Sequence, residues 1–172
     1  MSDQESHCYL WLKPAEPELS QLRQLIRRLS SVHGTPEFEP HVSLLARLRG
    51  SREELIDGLR SLASDTARFP LVFRGIDFRD EYYRCLFLEL EQSPMLENLH
   101  IRAGRCFPHD ESWRFEPHVS LMYGELPVNR KRAIIAELAD RWPGTIQAGS
   151  LALYLAPGGP AEWYPLQEFA LG

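Results

Sequence analysis

The sequence predicts an α+β fold of two pseudo-symmetric lobes, with two antiparallel sheets lining a central cleft and helices outside. Two observations carry this. The heptapeptide Phe-Glu-Pro-His-Val-Ser-Leu stands at residues 38–44 and again, unchanged, at 115–121, which places His41 and His118 77 positions apart. Two copies are too few for a solenoid and imply two equivalent units. The second observation is the order of the periodic segments. Four stretches have helical spacing, and the β-rich runs between them do not alternate strictly with helices, which points to antiparallel rather than parallel pairing. No low-complexity segment or linker interrupts the pattern, so residues 1–172 read as one bilobal unit.

His7 to Leu12 reads as a first strand, ended by Pro14 and Pro17. Leu19, Leu22, Leu25, Ile26 and Leu29 then line one face of a helix from Glu18 to Ser31, which Gly34 terminates. The first heptapeptide follows as a strand. Ser51 and Glu54 form a capping box that opens a helix to about Leu62. Phe69–Phe78 and Tyr82–Glu91 read as a hairpin around Arg79-Asp80-Glu81. Ser93-Pro94 is an N-cap and first-turn pair for a helix to about Arg105. The second heptapeptide strand runs on through Tyr123. Asn129 is the expected cap of a fourth helix, with Ile134, Ile135, Leu138 and Trp142 facing inward and Pro143-Gly144 ending it. Thr145–Leu155 and Trp163–Leu171 close the chain as two strands.

The balance of 44% apolar and 25% charged residues is that of an ordinary soluble protein, long enough to bury a real core. No stretch is apolar enough to span a membrane, and the first seven residues have no leader character. The three cysteines, Cys8, Cys85 and Cys106, lack metal-knuckle spacing and read as reduced thiols of a cytoplasmic protein. A net charge of −5 argues against long nucleic acids, which need a basic surface. It leaves room for a small anionic substrate. A monomer is expected.

The heptapeptide also carries chemistry. Proline fits a strand start, and Val and Leu favour a pleated strand. With a period of two, His41 and Ser43 share one face and Val42 and Leu44 the other. The same holds for His118 and Ser120 against Val119 and Leu121. If the lobes oppose their polar faces, a cleft holds two imidazoles and two hydroxyls. A lone His in such a place is usually a satisfied strand residue. Two in identical contexts point to function. The other histidines, His7, His33, His100 and His109, lack partners at motif spacing and read as surface or helix-end residues. Arg27-Arg28 and Arg130-Lys131-Arg132 read as solvated helix faces.

Two His-x-Ser motifs, with Tyr123 shortly after the second, resemble the 2H phosphoesterase superfamily, defined by paired His-x-Thr/Ser motifs on facing strands of a bilobal fold. Within it the chain looks most like the 2′,3′-cyclic-nucleotide phosphodiesterases of the tRNA-splicing type. Supporting segments are Tyr9-Leu10-Trp11, the two heptapeptides, Tyr82 to Phe87, the run to Leu126, and Trp163 to Leu171. Ser43 stands where the family more often has Thr. The resemblance implies hydrolysis of a small 2′,3′-cyclic nucleotide, or of ADP-ribose 1″,2″-cyclic phosphate, to a phosphomonoester. It implies no metal and no cofactor. His118 would activate water and His41 protonate the leaving oxygen, an allocation the near-symmetric sequence leaves open. Ser43 and Ser120 would hold the phosphate. Tyr123, Trp11 and Tyr83 are candidate substrate contacts by family position. Tyr123, five residues past His118, reaches the cleft only if the strand ends or bulges near Gly124.

Other readings stand beside this one. Glu39/His41 and Glu116/His118 share strand faces and could ligate zinc or manganese. A non-catalytic nucleotide- or RNA-binding module would keep the cleft without needing matched His-x-Ser pairs. A related 2H enzyme could act on RNA 2′,3′-cyclic ends or 2′–5′ linkages.

Overall fold

One long strand joins the two halves of the molecule. The computed structural model describes residues 7–139, 141–142 and 144–172. In chain order they form β1 (Cys8–Pro14), α1 (Glu18–His33), β2 (Val42–Leu48), α2 (Arg52–Ser64), β3 (Pro70–Asp77), β4 (Leu86–Leu90), α3 (Pro94–Cys106), β5 (His118–Met122), α4 (Val128–Leu138), β6 (Thr145–Leu155) and β7 (Tyr164–Ala170). All pairings are antiparallel, in the order β2-β1-β6-β3-β4-β5. One edge of β6 pairs with β1 along most of its length. The other edge is divided. Thr145, Ile146 and Gln147 pair with Val72, Leu71 and Pro70 of β3, and Ser150 to Leu155 pair with β7. The two expected sheets are thus the halves of one seven-stranded sheet, and β2 and β5 at its two ends touch.

The repeat is larger than the heptapeptide. β1-α1-β2-α2-β3 and β4-α3-β5-α4-β6 are the same βαβαβ unit twice. Each unit gives its last strand away: β3 pairs with β4 of the second unit, and β6 with β1 of the first. Helices cross over as well. α1 packs on β5 and α3 packs on β2, so each histidine strand is backed by the other unit's helix. The Val and Leu residues of both heptapeptides lie in this shared core, each 0% exposed. Burying such a side chain stabilises by about 1.5–3 kcal/mol.

Local signals explain most boundaries. Gly34 ends α1 in the left-handed conformation, φ 67°. Ser51 and Glu54 make the capping box of α2, and Ser93 caps α3 with Pro94 in its first turn. Three expectations are corrected. Tyr82–Arg84 is a short 3₁₀ turn, not strand, and β4 begins only at Leu86. Pro127, not Asn129, precedes α4, and the Asn129 carboxamide oxygen merely accepts from the Arg130 N–H. α4 ends at Leu138, so Trp142 lies beyond it, with its ring against Phe73. Pro143 lies outside the described residues.

Two further residues differ from their sequence reading. Lys131 is 2% exposed, because its ammonium donates to the Arg79 carbonyl and pairs with Asp80 at 3.0 Å. His100 stacks on Phe115 at 4.2 Å, with Nδ1 3.0 Å from the Leu44 carbonyl, so it touches both heptapeptides. Cys8 and Cys85 are buried free thiols and Cys106 is exposed.

Val42→Asp or Val119→Asp puts an unpaired carboxylate in the shared core. That cost is comparable to the whole stability of about 5–15 kcal/mol. Each variant is expected to lose cooperative thermal unfolding by circular dichroism, while Ser43→Ala and Ser120→Ala keep it.

Candidate active site

The Glu-Pro-His segment does the same thing in both copies. His41 stands one residue ahead of β2, and His118 opens β5. His41 Nδ1 lies 2.7 Å from the Glu39 carbonyl, and His118 Nδ1 lies 2.7 Å from the Glu116 carbonyl. A carbonyl only accepts, so Nδ1 carries the hydrogen in each ring. Each neutral imidazole therefore presents its lone pair at Nε2, the nitrogen at the far edge of the ring. Both rings line one cleft of about 850 Å³, open mouth included, together with Ser43 and Ser120.

The two imidazoles have unequal surroundings. His41 is 7% exposed and lies flat on Trp11, with ring centroids 3.5 Å apart and planes 7° apart. Burial pushes its pKa down to about 3, opposed by the Glu39 carbonyl and assisted by the nearby His118. His118 is less enclosed and meets Phe87 edge-on at 5.3 Å. Burial lowers its pKa too, and the Arg84 and Arg79 guanidiniums act in the same direction. Both imidazoles are neutral at pH 7 in the free protein.

The hydroxyls are also unequal. Ser120 is buried and donates to the Tyr83 carbonyl at 3.3 Å, a long bond that is easily exchanged. Ser43 is half-buried at the cleft wall.

All seven residues singled out in the sequence (Trp11, His41, Ser43, Tyr83, His118, Ser120 and Tyr123) line this cleft. Tyr123 gets there because β5 ends at Met122 and Gly124 turns the chain at φ 142°. Its ring is stacked on Phe38 at 3.8 Å, and burial raises its pKa, so the phenol stays protonated. Trp11 is 2% exposed. β1 runs between β2 and β6, which brings His41 to one side of the indole and Tyr154, at 3.8 Å, to the other. With both faces covered it is a platform for His41, with no face left for a nucleobase.

Sequence reasoning missed Tyr9, Arg84, Trp113 and Trp163, which also line the cleft. Arg84 is the only lysine or arginine among the lining residues, and its guanidinium also bonds Glu116. Reading Tyr82–Glu91 as strand hid it, since the 3₁₀ turn is what brings Tyr83 and Arg84 to the cleft together. Trp163 follows a second 3₁₀ turn, Pro160–Glu162, and its indole N–H donates to the Gly158 carbonyl at 2.8 Å. Its ring is within 24° of parallel to that of Tyr83, with centroids 6.1 Å apart.

The carboxylates of Glu39 and Glu116 are engaged by cations. Glu39 meets Lys13 at 2.9 Å and Arg23 at 3.0 Å, and Glu116 meets Arg79 at 2.9 Å and Arg84. Among the described residues no group of three or more His, Cys, Asp or Glu is placed to hold a metal ion.

Residues 7–153 match the family model described as cyclic phosphodiesterase-like protein. The chain belongs to this family. It is thereby a phosphodiesterase of the 2H phosphoesterase superfamily. The cyclic phosphodiesterase of Arabidopsis thaliana is 22% identical over 123 residues, covering 72% of this chain and 68% of that protein. Escherichia coli LigT in complex with 3′-AMP shares the fold with TM-score 0.57 and 16% identity, over 98% of this chain and 99% of that one. TT0787 of Thermus thermophilus gives 0.57 and 19%, over 95% and 97%. No helix among the described residues is long and apolar enough to cross a membrane.

The buried imidazoles make stability depend on pH. Between the unfolded value of about 6.5 and the folded value of about 3 for His41, the unfolded chain binds more protons. Stability from this source is present above pH 6.5 and falls as the pH drops, by up to about 1.4 kcal/mol per unit for each proton. Urea midpoints measured across this range are expected to fall less steeply for His41→Phe, which keeps an aromatic ring on Trp11 but cannot take a proton.

Proposed function

We propose that this phosphodiesterase hydrolyses a small 2′,3′-cyclic nucleotide, or ADP-ribose 1″,2″-cyclic phosphate, to a phosphomonoester by a metal-independent two-histidine mechanism. The observation that carries the reading is the pair of Nδ1–H···O=C bonds, which leave two Nε2 atoms for one cleft.

One imidazole takes a proton from water, and the oxygen of that water attacks phosphorus. The bond from phosphorus to a ribose oxygen opposite breaks, and that oxygen takes a proton from the second imidazole. The two histidines finish with their protonation states exchanged, and solvent restores them. The base must be neutral and the acid charged when substrate is bound. At His118, burial, Arg84 and Arg79 disfavour the imidazolium and Glu116 favours it, and the net lowering suits a base. At His41, the face of Trp11 and the Glu39 charge favour it and Lys13 opposes it, so an anionic phosphate has to offset the burial before His41 can act as the acid. By resemblance to the 2H phosphoesterases we assign His118 as base and His41 as acid. Ser43 and Ser120 donate to the non-bridging oxygens, Ser120 exchanging the Tyr83 carbonyl for a charged acceptor.

The cleft suits a nucleotide-sized ligand. The exposed ring of Tyr83 and the half-buried ring of Trp163 face each other nearly parallel at its mouth and offer π-faces to a base. The acidic net charge favours a small substrate over RNA.

Offering the four nucleoside 2′,3′-cyclic phosphates, ADP-ribose 1″,2″-cyclic phosphate and an RNA with a 2′,3′-cyclic end tests the reading. Turnover of the small substrates, undiminished by exhaustive chelation, is expected. Turnover of RNA alone, or loss of activity restored by zinc or manganese, would overturn it. His41→Ala and His118→Ala are each expected to lose about two to four orders of magnitude. Ser43→Ala and Ser120→Ala are expected to lose roughly tenfold to a hundredfold in kcat, with the fold intact. kcat/KM should be bell-shaped in pH with its centre below about 6.5, because both imidazole pKa values are lowered. A substrate with a much better leaving group should rescue His41→Ala and leave His118→Ala slow.

A further inference from the structure

Each histidine is oriented by a carbonyl that the sheet does not hold. β2 begins at Val42 and β5 at His118, so Glu39 and Glu116 both lie ahead of the strand ladder. Their peptide groups nevertheless sit at the same 2.7 Å from the two Nδ1 atoms. In the second copy the pairing reaches as far as Pro117, whose carbonyl accepts from the Leu90 N–H of β4 at 3.2 Å, and in both copies the glutamate side chain is in addition tied down by two cations. Glu39 is gripped by Lys13 of β1 and Arg23 of α1, and Lys13 in turn is held by Glu168 of β7. Glu116 is gripped by Arg79 and Arg84, from the segment between β3 and β4. The residue between glutamate and histidine is a buried proline whose ring fixes φ, so little play remains between the anchored side chain and the imidazole.

We infer that Glu39 and Glu116 are positioning residues: their carboxylates, anchored by paired cations, hold the Glu-Pro unit so that its carbonyl fixes the tautomer and direction of the following imidazole. This rests on the two-histidine reading for its catalytic consequence, but not for its structural one. It also explains why both copies share Glu-Pro ahead of the histidine, when the phosphate chemistry needs only the histidine and the serine. The four cations share no sequence pattern, so the two copies reach the same anchorage by unrelated partners. They differ in exposure. Lys13 and Glu39 have side chains 5% and 20% exposed, against 45% and 43% for Arg79 and Glu116.

The test is Glu39→Gln and Glu116→Gln, read by ¹⁵N chemical shifts of the imidazoles above their titration range and by steady-state kinetics. In the wild type both rings should show a protonated Nδ1 and a bare Nε2. In each variant the ring two residues downstream, and only that ring, should shift toward a mixture of tautomers. kcat should fall about tenfold to a hundredfold, since small misplacement of a reacting group has costs of that order, with KM changed much less. Glu116→Gln disturbs the more exposed pair, so it decides the matter if Glu39→Gln fails to fold. Unchanged tautomers in the folded variants overturn the inference, whatever happens to the rate. The tautomer measurement needs no substrate, so it stands even if no cyclic phosphate is turned over.

Discussion

The three-residue pairing of β3 with β6 is the constraint on which the rest of this molecule depends. Pro70–Val72 against Thr145–Gln147 joins the two half-sheets through backbone hydrogen bonds. Each of these strands belongs by sequence to one repeat and by pairing to the other. The exchange curls the sheet until its end strands, β2 and β5, come together. His118 opens one of them, and His41 stands one residue ahead of the other. The cleft is thus the direct result of where the sheet is joined, and α1 and α3, each packed on the other repeat's histidine strand, hold it in that shape.

Within this frame, identical heptapeptides acquire different chemistry from residues that are not repeated. Trp11 gives His41 a flat π-face, where His118 has only the edge of Phe87. Lys13 and Arg23 stand behind one glutamate, Arg79 and Arg84 behind the other. Burial lowers both imidazole pKa values, and at each site a glutamate opposes that lowering while cations add to it. What differs between the two sites lies in the residues behind the motif, not in the motif.

This division decides what could be read from the sequence. The duplicated heptapeptide announces two strands, their buried faces and the two imidazoles, because period-two alternation is local. Gly34, Ser51 with Glu54, and Ser93-Pro94 announce helix ends for the same reason. Tyr82–Arg84 misleads because aromatic residues favour strands, and only the contacts of Tyr83 and Arg84 with the cleft show the turn. Trp163 and Lys131 are illegible alone. One is placed by a turn at the far end of the chain, the other by a carboxylate and a carbonyl far away in sequence, on Asp80 and Arg79. The exchange of β3 and β6 leaves no mark in local sequence at all, since either pairing would satisfy the same apolar pattern.

The exchanged strands decide how the chain can be divided. A single βαβαβ unit would leave its third strand without a partner and its histidine strand without a covering helix. Neither repeat can therefore be cut away and leave the other with a complete sheet. The cleft is lined by both repeats, which gives one site per pair of units and not one per unit. Trp11 and Lys13 stand beside one heptapeptide and Arg79 and Arg84 beside the other, so the single cleft is lined unequally on its two sides.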